Sequence, residues 1–496
     1  MALPPLVTTP RHWLLGPAYY AQREPLRWIP KWIEEHGDIF RIVSPFGQAT
    51  IVAAPELARQ VLAERYARYQ QKSRPYMVLR LLMGNGLVTS EGEFWRGQRK
   101  LVQPAFHRRR LEGLFTMMVD RVKACVAELE KAASTGRAVD LAPVLSQLTL
   151  DIISRAMFSS DVQGAAADVS RHIALLNEYA LRLLRQPWLF LLPRSFPTPF
   201  NAEEYRSRKS LNEIVSSIIQ ARRRKPEAHD DLLNMLLSAC EEGTGRGMTD
   251  AQLRDEVMTI FVAGHETTAN AMAWLLYLVS QHPEVERELL AEIDARWPEE
   301  GLTHENIGAF SYTRQVIEES LRVYPTIWSI GRRCTEKDDL AGYEIPPGMN
   351  VVVPIFHFHW NKRFWAEPQK FDPGRFSPER RPEPESMVYF PFGAGPRSCI
   401  GNHFAFQEML IMALWFHRRF QFRVAPGFSV EPDPLITLRP KFGMKMIVQV
   451  RDRTREERMA YAEEQLRQRA RERGLDWSTM NEDQREAFVD RLLHEP

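Results

Sequence analysis

The stretch from Thr249 to Pro283 commits the chain to one kind of architecture. Leu253, Val257, Ile260, Phe261, Met272, Leu275, Leu276 and Val279 form an apolar stripe at helical spacing. Thr249 and Gln252 make a capping box just after Gly247, and Pro283 ends the run. About 30 residues of helix rise about 45 Å, enough to cross a whole domain, so the remaining elements must pack around it. Its middle, Ala263-Gly264-His265-Glu266-Thr267-Thr268-Ala269-Asn270, is poor helix material. Glycine and threonine lower propensity, and a hydroxyl bonding back to a carbonyl bends a helix. This is either a tolerated kink or a widened turn beside a ligand, presenting an acid and an alcohol.

A second stretch, Phe392 to Gly401, holds one cysteine among three glycines, a proline and an arginine, and the helix-like run Asn402–Phe416 follows directly. A cysteine entering a helix N-terminus meets unpaired N–H groups and the positive end of the dipole, which favours its thiolate. The glycines permit a sharp turn and leave room for something large and flat. The pattern suits a soft anionic ligand presented to a metal.

Cys125, Cys240, Cys334 and Cys399 are scattered without paired spacing, which fits a reducing cytoplasm better than a disulfide framework. At 496 residues the chain can bury a large core, and a net charge of +2 gives no reason to invoke nucleic acid. No signal peptide is legible, and no apolar run reaches the roughly 18–20 residues of a transmembrane anchor.

In chain order, Gly37–Val43 and Gln48–Val52 read as a hairpin and Pro55–Ala63 as a short helix. Trp95 and Arg99 share a helix face in a basic run that continues to Arg108–Arg110. That run is either a solvated basic face or a pair of donors for a buried carboxylate or phosphate. Residues 111 to 240 read as amphipathic helices, interrupted by the apolar, proline-bounded Gln186–Pro193, which suits core, a lid or a membrane contact. Glu319 and Arg322 form a helical ion pair, Val351–Phe358 is strand-like, Phe371–Phe376 is a Pro/Gly loop, and 429–450 reads as strands. Beyond 451 the chain becomes charged and helical, with a cap at Asn481 and Phe488, Leu492 and Leu493 on one side.

Together these motifs resemble the haem-thiolate monooxygenases of the cytochrome P-450 family, over about residues 30 to 450. Most specific is Phe-Gly-x-Gly-x-Arg-x-Cys-x-Gly, complete from Phe392 to Gly401. Ala-Gly-x-Glu-Thr-Thr at Ala263–Thr268, Glu-x-x-Arg at Glu319/Arg322 and Trp-x-x-x-Arg at Trp95/Arg99 accompany it. The resemblance implies a mainly α fold with small β-sheets, the long helix crossing haem b (iron protoporphyrin IX) and the cysteine loop on its proximal side. The haem domain would span 1–451, with 452–496 a charged helical extension.

By the same resemblance Cys399 is the axial iron ligand, whose thiolate favours O–O cleavage. Trp95, Arg99, Arg332 and Arg397 would hold the haem propionates, and Phe392 counts among the cofactor contacts. Glu266 and Thr267 match the acid–alcohol pair that delivers protons to bound oxygen. Glu319, Arg322 and Arg375 match a buried structural triad, although Gly374 stands where the family usually has Glu. Tyr76, Met77, Leu81, Leu82, Phe261, Ala263, Trp328, Ile330, Ile436 and Thr437 would line a pocket for a hydrophobic small molecule, with Arg80 as an anchor for a carboxylate or a plain surface residue. The implied reaction inserts one oxygen atom from O₂ into such a substrate. No flavin or nucleotide motif follows residue 450, so a separate ferredoxin or flavodoxin with its NAD(P)H reductase is implied, landing on Arg96, Lys100 and Arg108–Arg110. A peroxide-driven peroxygenase and a haem-based gas sensor are the rival readings.

Overall fold

The computed structural model describes residues 16–44, 47–70, 73–107, 111–158, 198–224, 231–240 and 247–451 without a break, plus scattered positions elsewhere. Its N-terminal part comprises α1 (Pro25–His36), β1 (Ile39–Ser44), β2 (Gly47–Val52), α2 (Arg74–Met83) and α3 (Gly92–Val102). There follow α4 (Phe115–Ala133), β3 (Ala138–Asp140), α5 (Leu141–Phe158) and α6 (Pro199–Arg224). The long helix is α7 (Asp250–Gln281), with α8 (Pro283–Arg296) and α9 (Ser311–Val323) after it. Then come β4 (Ile330–Arg333), β5 (Asp338–Leu340), β6 (Tyr343–Ile345), β7 (Asn350–Val353) and α10 (Asn402–Arg419), closing with β8 (Phe420–Val424), β9 (Pro432–Pro434), β10 (Leu438–Pro440) and β11 (Lys445–Val450).

Helix α7 is the axis. Its 32 residues rise about 48 Å, and α5, α6, α9 and α10 all pack against it. The capping box forms as the sequence predicts: Thr249 N–H donates to Gln252 Oε1 at 2.8 Å, and Gln252 N–H to Thr249 Oγ1 at 3.3 Å. Trp274 is fully buried, stacked on Tyr324 at 4.0 Å, and its N–H donates to the Leu438 carbonyl.

The sheets are small, and β8 of one of them packs against α7. One has the order β1-β2-β7-β4, with β2 and β7 parallel and the other pairs antiparallel. Another runs β3-β11-β8, antiparallel throughout, and the remaining two are two-stranded. The hairpin at 37–52 stands where its pattern places it. Val351–Phe358, by contrast, is not one strand: β7 stops at Val353, and Ile355–Trp360 is a helix. Pro354 separates them, since it has no N–H to extend the ladder.

Residues 187–193 of the apolar stretch, Arg108–Arg110 and most of 452–496 lie outside the described residues. In that last stretch Ala470, Trp477 and Phe488 cluster with one another, and Asn481 and Gln484 cap reciprocally at 3.0 and 2.9 Å. Among the described residues no helix is long and apolar enough to cross a membrane.

Candidate functional site

The cysteine loop is folded by its glycines. Gly393 and Gly395 sit at φ +74° and +69°, conformations in which a side chain is strained. A Cβ on Gly395 would lie 2.0 Å from the Leu62 carbonyl oxygen, so the loop is pressed onto 60–64 with no room for any other residue. The loop closes on itself through Cys399 N–H to Phe392 O at 2.8 Å and Ser398 N–H to Gly395 O at 3.0 Å.

Cys399 is enclosed by protein, yet its own surface is exposed. Burial raises the thiol pKa, against the pull of the Gly401 N–H and of Arg99.

Around the loop three arginines converge. Arg397 stacks on Trp95 with its guanidinium carbon 4.1 Å from the ring centroid, and one Nη donates to Ser90 O at 3.0 Å. Its Nε and its other Nη are buried without a hydrogen-bond partner among the described residues. Burial, then Arg332, lowers the Arg397 pKa to about 10. Arg332 is buried and Arg333 exposed, as alternation along β4 requires. Arg99 donates to Ser398 O at 2.8 Å. Burial lowers the pKa of Arg99 too, partly offset by Cys399. Tyr76, assigned by the sequence to the substrate wall, acts on Arg397 and so sits at this cluster.

On α7 the odd stretch remains helical. His265 Nδ1, Thr267 Oγ1 and Thr268 Oγ1 bond back to the carbonyls of Phe261, Ala263 and Gly264 at 2.8, 2.8 and 3.2 Å. Ala263 is exposed in the middle of this otherwise buried helix, and Thr267 is half-buried beside it. Glu266 is held from a distant segment: Thr437 Oγ1 donates to its Oε1 at 2.7 Å, and Asn270 Nδ2 donates to Thr437 Oγ1 at 3.2 Å.

Segment 84–90 ties the two regions together. Asn85 and Leu87 N–H donate to Asp255 and Glu256 on α7, while Ser90 O accepts from Arg397.

Glu319, Arg322 and Arg375 come together. Arg322 meets both Glu319 oxygens at 2.7 and 2.8 Å and donates to the carbonyls of His359 and Lys370. Arg375 lies 3.5 Å from Glu319 and donates to Glu367 O at 2.9 Å. Glu319 and Arg322 are fully buried. Burial raises the Glu319 pKa, with Arg322, the Asp372 N–H and Arg375 opposing.

The predicted pocket residues do not all converge. Phe261 is corrected: it is fully buried against Phe158 at 5.2 Å, and two residues along a helix turn it roughly 200° from Ala263. Trp328 packs with the N-terminal cluster and donates to Leu435 O. Ile330 is buried, within contact distance of the cysteine loop at Gly393, and Ile436 is half-buried against the main core. Arg80 and Met77 are exposed, and the Leu82 side chain lies outside the described residues. Of the basic run, Arg96 is paired with Glu93 and Lys100 is exposed. Sequence reasoning missed Glu408 on α10. Burial pushes its carboxyl pKa well up, and Thr268 is the group opposing that rise.

Haem fits these residues on one observation above all. A buried guanidinium with two unpartnered donors, beside a second buried arginine, is what a pair of propionates would complete.

Comparison with known proteins agrees. The family model described as "Cytochrome P450" matches residues 5–446. The cyclooctat-9-en-7-ol 5-monooxygenase of Streptomyces melanosporofaciens is 33% identical over 418 residues, covering 84% of this chain and 89% of that protein. The pentalenene oxygenase of Streptomyces avermitilis is 30% identical over 426 residues, covering 86% and 93%. The crystal structure of the cytochrome P450DA heme domain superposes with a TM-score of 0.81 at 26% identity, covering 91% of this chain and 99% of that one.

Proposed function

Because the chain belongs to the cytochrome P-450 family and is a haem-dependent monooxygenase, we propose that Cys399 binds the haem iron as its axial thiolate. Arg397 and Arg332 bind the propionates, with Trp95 stacking Arg397 in place and Arg99 fixing the loop at Ser398. Haem so held supplies O₂ activation, and the protein supplies position and protons. The observation that carries this reading is the Arg397 guanidinium, buried with unpartnered donors beside the loop that presents Cys399. The monooxygenase unit spans 1–451, and 452–496 is an appended extension.

Thr267 and Glu266 serve the proton path. The Thr267 hydroxyl stands beside exposed Ala263, so it can hold an ordered water. Glu266 accepts from Thr437 Oγ1 and is the acid that relays protons to that water.

The substrate is a hydrophobic carbon skeleton. The two relatives are named for an unsaturated carbocyclic alcohol and for an unsaturated hydrocarbon, and apolar residues near the site (Ala263, Ile330, Ile436) suit that class. Electrons come from a separate cytoplasmic ferredoxin or flavodoxin that docks near Lys100 and Arg96.

Two measurements test this. The reduced, CO-bound protein should show the strongly red-shifted Soret band of a thiolate ligand, and Cys399→Ser should abolish it. Thr267→Ala should raise peroxide release per NAD(P)H consumed, and coupling unchanged by that substitution would overturn the proton assignment.

A further inference from the structure

Segment 84–90 joins α2 to α3 and is held by two consecutive carboxylates of the central helix. Asp255 Oδ2 accepts the Asn85 N–H at 2.7 Å, and Glu256 Oε2 accepts the Leu87 N–H at 3.0 Å. A Cβ on Gly84 would lie 2.2 Å from Asp255 Oδ1, and one on Gly86 2.2 Å from Thr259 Oγ1 and 2.5 Å from the Asp255 carbonyl oxygen. Both glycines are therefore required for the contact.

Glu256 is the unusual member. It is fully buried, and among the described residues its second oxygen, Oε1, has no hydrogen-bond partner, nor has Thr259 Oγ1. Arg254 is engaged with Asp255 at 2.5 Å and with Asn212 of α6. On α5, Asp151 and Arg155 pair with each other. Arg80 on α2 is exposed. Among the described residues Asp255 is the one charge that bears on Glu256. Burial pushes the Glu256 carboxyl up to about 7, the Leu87 N–H restrains it, and Asp255 adds to the rise.

Glu256, Thr259, Ala263 and Thr267 follow one another at three- and four-residue spacing, so they form one stripe along α7. The stripe that holds segment 84–90 thus continues into the stripe that bears exposed Ala263. Releasing the segment would extend that open face by one to two helical turns. We propose that Glu256 is a positioning residue which, on losing its proton, releases segment 84–90 from the central helix and admits bulky ligands to the face beside Ala263.

The direction follows from linkage. Hydrated after release, the carboxyl returns to an ordinary value of about 4.3, whereas in place it keeps its proton to about 7. Between those values the closed form carries more protons, so opening becomes easier as pH rises and levels off above about 7.

The test uses reduced holoenzyme and two ligands that do not titrate, carbon monoxide and benzyl isocyanide. The ratio of isocyanide to CO association rates should rise about fivefold from pH 6 to pH 7 and about twofold more by pH 8. Glu256→Gln keeps an acceptor for Leu87 but cannot ionise, so its ratio should stay low and flat with pH. Gly86→Ala should hold the segment off and give a high, flat ratio. Amide exchange of 84–90, corrected for its intrinsic pH dependence, should follow the same three patterns. The ligand ratio rests on the haem reading and the exchange measurement does not, so failure of one is distinguishable from failure of the other. Glu256→Gln with the wild-type profile, or exchange at 84–90 that is flat from pH 6 to pH 8, would overturn the proposal.

Discussion

Two groups of buried arginines lie near the cysteine loop, and they are finished to different degrees. Arg322 spends its donors on Glu319 and on the carbonyls of His359 and Lys370, and Arg375 completes the set. Arg397 has one bond, to Ser90 O, and two donors with nothing to meet. Both groups are removed from water, so both carry a desolvation cost. In the first, Arg322 recovers it within the chain, and Arg375 Nε, without a hydrogen bond, still lies 3.5 Å from Glu319. In the second, Arg397 has no carboxylate beside its two unpartnered nitrogens among the described residues, and the proposed propionates would supply it.

The largest test of the contrast is Arg322→Ala. It strands the Glu319 carboxylate, and should lower unfolding stability by about 3–5 kcal/mol in urea titrations, with or without haem. Arg397→Ala should instead leave the apoprotein's stability nearly unchanged, and weaken haem retention by about 1.5–3 kcal/mol, read as faster transfer to a haem-scavenging apoprotein. If Arg397→Ala destabilised the apoprotein as much as Arg322→Ala does, the contrast would fail.

An effect that is smaller per pH unit comes from His359, whose backbone carbonyl anchors Arg322 and whose Nε2 accepts the Phe390 N–H at 3.2 Å. Burial, reinforced by Arg322, lowers its pKa to about 3. The unfolded chain therefore binds one more proton between about 3 and about 6.5, so this contribution is present above 6.5 and lost as pH falls. His359→Gln should flatten the acid limb of stability against pH by about 1.4 kcal/mol per pH unit. Smallest is Lys100→Glu, exposed and outside both groups. It should leave stability unchanged within about 0.5 kcal/mol and slow electron delivery at low salt only.

The helices and the motif residues were legible because each signal is local. The α7 capping box spans three residues, and the Cys399 loop is written in glycines. What completes the site is not local. Thr437 reaches Glu266 across 171 residues and Arg397 reaches Ser90 across 307, and no periodicity encodes such pairs. Phe261 was misplaced because helical spacing gives a stripe but not which neighbour it faces. Asp255 and Glu256 belong to no motif, and what sets Asp255 apart is the close approach of Gly84 and Gly86 from a segment about 170 residues earlier.

The alternation of Arg332 and Arg333 on β4 bears on how the protein matures. β4 pairs with β7 in one register, Arg332 opposite Val351 and Ile330 opposite Val353. A slip of one residue would turn Arg333 inward and Arg332 to water, moving the charge proposed to hold a propionate to the surface with no change in sequence. The β7 strand in turn depends on β2, some 300 residues earlier in the chain, and such distant pairings form late. On the proposed propionate role of Arg332, cofactor capture would wait for correct strand register, and a misregistered chain would be distinguishable in the cell as one that never acquires colour.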